Sequence, residues 1–120
     1  MGTSYRAKCR ACGSQFTADE GGGRRWELLR CEVCGSERAI SYKEIGEPVL
    51  MLQRDLEALE TGEDSDYAAF DRVCEEYHRA VEAAFGACKC GNRMTFGAPI
   101  RCKACRSTDI DLGKAWRLYD

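Results

Sequence analysis

Two periodicities alternate along the chain. Trp26, Leu28 and Arg30 alternate with Glu27 and Leu29, a period of two that predicts a strand running into Cys31. Gln15-Phe16-Thr17 predicts the start of an earlier strand and 39–45 a third, with the acidic and glycine-rich run 19–23 as a turn. The period then lengthens. Val49, Leu52, Leu56 and Leu59 fall three and four apart behind Pro48, which suits a first helical turn. Thr61-Gly62 ends this helix. A second helix, capped by Ser65 or Asp66, carries Phe70, Val73, Cys74, Tyr77, Val81, Ala84 and Phe85 on one stripe and stops at Gly86. A connection of about five residues folds two such helices back antiparallel. Segments 109–112 and 116–119 supply closing strands.

The predicted fold class is therefore α+β. Two small units of short antiparallel strands, 1–46 and 87–120, flank an antiparallel helical hairpin, 47–86. Strand units this small lack the apolar residues for a self-sufficient core. Something else must hold them.

The cysteines supply it. There are nine in 120 residues, and all but Cys74 come as close pairs: Cys9 with Cys12, Cys31 with Cys34, Cys88 with Cys90, and Cys102 with Cys105. The start of the sequence has no apolar stretch of signal-peptide type, so the expected compartment is the cytoplasm, where thiols stay reduced. Neighbours two or three apart also cross-link to each other poorly. Tetrahedral zinc, by contrast, wants four soft ligands, and short spacers let both thiolates of a pair reach one ion. The expected ligands are Cys9, Cys12, Cys31, Cys34, Cys88, Cys90, Cys102 and Cys105.

Four pairs can combine in three ways. Local closure leaves about eighteen residues between the first two pairs and about eleven between the last two. Joining Cys12 to Cys102 instead spans about 89 residues and costs about 1.4 kcal/mol more. An internal repeat points the same way: Leu29-Arg30-Cys31-Glu32-Val33-Cys34-Gly35-Ser36 lines up with Ile100-Arg101-Cys102-Lys103-Ala104-Cys105-Arg106-Ser107. Two local sites, one at each end, are the expectation.

On these knuckles both ends, 5–45 and 87–119, resemble zinc ribbons, the rubredoxin-like class in which two cysteine knuckles clamp one metal between short strands. The order of ribbon, helical hairpin and ribbon also resembles small bacterial double-zinc-ribbon proteins to which no activity attaches. The resemblance implies two zinc ions. Iron, the metal of true rubredoxins, is the lesser alternative, because Glu32 and Lys103 stand where the second rubredoxin knuckle carries proline.

Charge narrows the function. The net −2 hides +2 over 1–45, −8 over 46–86 and +4 over 87–120. Four thiolates with one divalent ion add −2 per site, so the loaded ends lose most of their positive charge, which is not the footprint of a protein held by phosphates. Four thiolates also fill the shell of zinc and leave no position for water or substrate. No apolar run approaches a membrane span. The expectation is a non-catalytic zinc-binding adaptor or accessory protein with a protein partner and no enzymatic activity. The alternative is a nucleic-acid-binding regulator that uses Arg24, Arg25, Arg101, Lys103 and Arg106, with Trp26 or Trp116 stacking on a base. Both tryptophans are expected to pack internally instead. A weaker alternative is a thiol redox or metal sensor. Cys74 and His78, four apart on one helical face, are expected to be a core residue and an edge residue.

Overall fold

The computed structural model describes residues 2–23, 25–60 and 67–119. The order is β1 (Gly2–Cys9), β2 (Gln15–Glu20), β3 (Trp26–Cys31), β4 (Glu37–Ser41), α1 (Tyr42–Ile45), α2 (Glu47–Glu60), α3 (Tyr67–Phe85), β5 (Met94–Thr95) and β6 (Ile110–Tyr119). The architecture is α+β, with two three-stranded antiparallel sheets ordered β2-β1-β6 and β4-β3-β5. Each sheet is an N-terminal hairpin completed by one strand from the far end of the chain.

Three expectations change with the fold. Segment 39–45 does not continue as a strand, because Ser41 caps a helical turn: its hydroxyl accepts from the Glu44 amide, and the Glu44 carboxylate accepts from the Ser41 amide. Strand β1 replaces what read as a featureless start. It buries Gly2, Ser4, Ala7 and Cys9, residues too small to announce a strand. The two closing strands are one, kept continuous by irregularities in the β1–β6 register. Ser4 faces Arg117 and Tyr5 faces Ala115, leaving Trp116 as an extra residue, and a second irregularity follows between Tyr5 and Ala7. Gly113 lies in that second stretch, where a Cβ would come within 2.7 Å of the Arg6 carbonyl oxygen. The helix end at 61–62 and the cap at 65–66 lie outside the described residues.

The apolar core belongs to one sheet. Leu29, Cys31, Ile40 and Met94 from β3, β4 and β5 meet Ile45, Val49, Tyr77 and Val81 from the three helices. Leu52 and Phe85 join from the expected helical stripes, and α2 packs on α3. The other sheet buries only small side chains, Ala7, Ala18 and Ser4, around Cys9 and Cys102. At roughly 25 cal/mol per Å², residues of that size give it little hydrophobic stabilisation. This sheet depends on its thiols.

The sheets are tied into one body. Trp26 of β3 stacks on Tyr119 of β6 with ring centroids 5.1 Å apart and planes 17° from parallel. The Tyr119 hydroxyl donates to the carbonyls of Glu20 and Gly21. Arg30, which reads from sequence as one polar position of an alternating strand, is buried. Its guanidinium donates to the carbonyls of Asp19 in β2 and Ala98 and pairs with the Glu37 carboxylate at 3.5 Å. The Nε of Arg30 is buried without a partner.

Candidate metal centres

Each knuckle builds itself from local hydrogen bonds. In the first, the Cys9 amide donates to the Ser14 carbonyl and the Gly13 amide to the Cys9 carbonyl. The second repeats this with Cys31, Ser36 and Gly35, and the fourth with Cys102, Ser107 and Arg106. The residue after the second cysteine must take positive φ to turn the chain past the thiols. Gly35 does so at 76° without side-chain cost, while Arg106 adopts 65° against the usual steric penalty. The third knuckle has one residue fewer and closes one residue sooner, with the Gly91 amide donating to the Cys88 carbonyl. That tighter loop is why a Cys-x-Cys pair can present two thiols side by side.

The knuckles combine across the chain, not locally. Cys9, Cys12, Cys102 and Cys105 form one tetrad, the outer centre, and Cys31, Cys34, Cys88 and Cys90 form the inner centre. In both, all four sulfurs lie within 4.8 Å of one another. The eight predicted side chains are therefore all brought together, but the expected grouping is wrong. The reason is backbone pairing. The Arg10 amide donates to the Asp109 carbonyl beside the outer centre, and the Glu32 amide to the Arg93 carbonyl beside the inner one. Strand β6 adds seven register pairs to β1. At about 0.5–1.5 kcal/mol net per hydrogen bond, such a ladder outweighs the loop cost that favours local closure. Nesting of the two loops also makes that cost smaller than a separate closure of each would imply.

The donor set fits a tetrahedral ion. Metal–sulfur bonds of about 2.3 Å imply sulfur–sulfur edges of about 3.8 Å. The edges Cys9–Cys105, Cys12–Cys102, Cys31–Cys90 and Cys34–Cys88 are each 3.5 Å. The amides of Val33 and Cys34 point at the Cys31 sulfur, and those of Ala104 and Cys105 at the Cys102 sulfur, an arrangement that stabilises thiolate charge.

The thiols are electrostatically unequal. A hydrogen bond from Ser14 lowers Cys12 to about 6, and Ser36 does the same for Cys34. Asn92 lowers Cys90, and the Cys105 amide, with that of Ala104, lowers Cys102. For Cys88 the backbone bond from Cys90 is the largest influence and lowers it, but desolvation and the neighbouring thiols prevail and raise it to about 12. Cys105 likewise rises to about 12 against a lowering bond from Ser107. Each tetrad thus holds thiols that ionise readily beside one that keeps its proton until a cation displaces it.

The two centres share a link that the sequence does not announce. Arg101 donates through Nε to the Glu32 carbonyl in the inner centre's knuckle and through an Nη to the Arg106 carbonyl in the outer centre's. Its Cβ would lie 2.8 Å from a Cβ on Gly35, so the glycine permits this approach. Arg101, a nucleic-acid candidate by sequence, is instead a brace.

The remaining candidates divide. Cys74 is half-buried and His78 exposed, and neither joins a metal-type cluster among the described residues. The His78 ring packs on Phe96 at 4.3 Å. Trp26 packs internally as expected. Trp116 does not: it is 48% exposed, with the guanidiniums of Arg6 and Arg117 at 6.0 and 5.2 Å from its ring. Arg25, Lys103 and Arg106 are exposed, and Arg24 lies outside the described residues. Among the described residues, no helix is long and apolar enough to cross a membrane.

Fold and thiols together define a small α+β protein with two four-cysteine sites able to hold metal ions. A family model matches residues 5–111, and the chain belongs to that family, described as a Domain of unknown function (DUF8255). No curated protein and no solved structure matches the chain.

Proposed function

We propose that this chain is a non-catalytic zinc-binding adaptor or accessory protein that engages a protein partner in the cytoplasm. In this reading the metal-clamped sheets are zinc ribbons, interleaved through the fold, and α2 with α3 forms a helical hairpin. The observation that carries it is the convergence of four thiols at each centre. Thiolates at all four corners supply structural stability and leave no coordination position for a reacting group.

The helices offer the surface. Leu50, Met51, Tyr67 and Phe70 are exposed. A small cleft of about 100 Å³ runs between α2 and α3, with Met51, Leu52, Val73 and Tyr77 on its apolar walls and Asp55 and Glu76 on its rim. With −8 over 46–86, this surface favours a basic partner with an apolar anchor. Zinc is favoured over iron by Glu32 and Lys103 in the knuckles. Elemental analysis should give two zinc per chain, and X-ray absorption four sulfurs per zinc with no oxygen. A tagged native chain should retain a partner that Leu50→Glu with Met51→Glu releases. A metal-bound water, or a retained set identical for the double variant, would overturn the reading.

A further inference from the structure

The solvent face of the β2-β1-β6 sheet carries a second recognition surface, chemically unlike the acidic helices and independent of the reading above. Arg6 and Lys8 of β1 are exposed opposite Thr17 and Gln15 of β2, which are exposed too. Together with Ala7 and Phe16 these residues line a shallow depression of about 530 Å³. Arg6 also reaches the Trp116 ring, which the register irregularity of β6 leaves as an extra residue against β1, and Arg117 approaches the same ring. Lys114 is exposed on the same strand.

These cations are not neutralised locally. Among the described residues, no carboxylate lies within ion-pair distance of Arg6, Lys8, Lys114 or Arg117, whereas Arg10 nearby is paired with Asp109 and Asp111. The acidic side chain that could intrude from β2, Asp19, is held by the Ser4 hydroxyl. An exposed indole flanked by two guanidiniums offers what an unpaired base needs, a flat π surface with cations at its margin. The row formed by Arg6, Lys8, Lys114 and Arg117 suits the phosphates that follow. A duplex hides its base faces and gains nothing from the indole.

The geometry points to this sheet face as a binding site for single-stranded nucleic acid, with a base stacked on Trp116 and the backbone neutralised by Arg6, Lys8, Lys114 and Arg117. The chemistry is sequence-tolerant, since every base presents a π face. It does not involve α2 or α3, so helix-surface variants leave it unchanged.

Fluorescence anisotropy of the metal-loaded chain with labelled twelve-nucleotide oligo-dT tests this directly. Saturable binding is expected, with a log–log salt slope between about −2 and −3 for three or four neutralised phosphates. Trp116→Ala should weaken binding at least about fivefold with the slope retained. Trp116→Phe should restore most of the loss. Arg6→Gln should flatten the slope by about 0.7. Circular dichroism and metal content verify that each variant is folded. No saturable binding at low salt, equal affinity for a twelve-base-pair duplex, or equal affinity for poly-glutamate with no response to Trp116→Ala would each overturn the assignment.

Discussion

The nested arrangement of the two centres makes their occupancy interdependent. Closing the outer centre alone constrains about 89 residues between Cys12 and Cys102. Once the inner centre is joined, the path shortens to about 29, made of about 18 residues from Cys12 to Cys31 and about 11 from Cys90 to Cys102. The (3/2)RT ln n rule gives a difference of about 1 kcal/mol, or about fivefold in metal affinity. Linkage requires the same factor in the other direction. Cys34→Ser should therefore weaken zinc at the outer centre at least about fivefold, and Cys12→Ser should weaken the inner one equally. The brace from Arg101 can only add to this. Native mass spectrometry under competition with a chromophoric chelator would read it, as a one-metal population depleted below the binomial expectation. Double variants fix the grouping itself. Cys12→Ser with Cys105→Ser disables one centre and leaves one ion, whereas Cys12→Ser with Cys34→Ser disables both. If the first pair lost both ions while the second kept one, the nested grouping would be refuted. Independent affinities in the single variants would refute the coupling.

Other outcomes follow from single features. Arg30→Met leaves the half-buried Glu37 carboxylate without its cation and frees two carbonyls, so urea unfolding of the loaded protein should show a loss of about 3–5 kcal/mol. Chelation should expose the β2-β1-β6 sheet first, because its core is alanine and serine; amide exchange should rise in β1, β2 and β6 before it rises in β3, β4 and α3. Burial, reinforced by the Glu27 charge, raises Tyr77, and burial raises Tyr119 to about 12. Because these raised values belong to the folded state, the unfolded chain releases the protons first. Stability should hold below about pH 10 and fall as pH rises toward about 12, and Tyr119→Phe should remove one late step from the 295 nm absorbance titration. Cys74→Ala and His78→Ala should each leave two ions bound by elemental analysis, since neither residue joins a tetrad.

The readable part of this fold was the chemistry; the topology was not. Eight paired thiols at zinc-type spacing named the ligands, because knuckle geometry is local and each pair is set by its own four or five residues. Which pairs meet depends on β6 choosing β1, and nothing in Ile110 to Tyr119 encodes a partner strand. Strand β1 hid behind small residues, since glycine, serine and alanine give no hydrophobic alternation. The turn at α1 does carry a signal: Ser41 three before Glu44 is a capping pattern, masked because Ile40 and Ile45 favour a strand. Arg30 could not be placed from its type, as buried arginines are rare. Its role became visible only where Asp19 and Ala98 turned their carbonyls toward it.

Nesting also bears on how the chain is made. The thiols of Cys9 and Cys12 emerge from the ribosome early, yet their partners at Cys102 and Cys105 follow about 90 residues later, a delay of about 5–20 s at ordinary elongation rates. During that interval the first two pairs have only each other within reach, not their eventual mates. A nascent chain that trapped one ion between them would hold the non-native pairing that a shorter loop favours, and would have to give that ion up before β6 could dock. Thiolate sites exchange metal slowly when fully coordinated, so the supply of zinc during synthesis, more than its final abundance, would govern the yield of correctly interleaved protein.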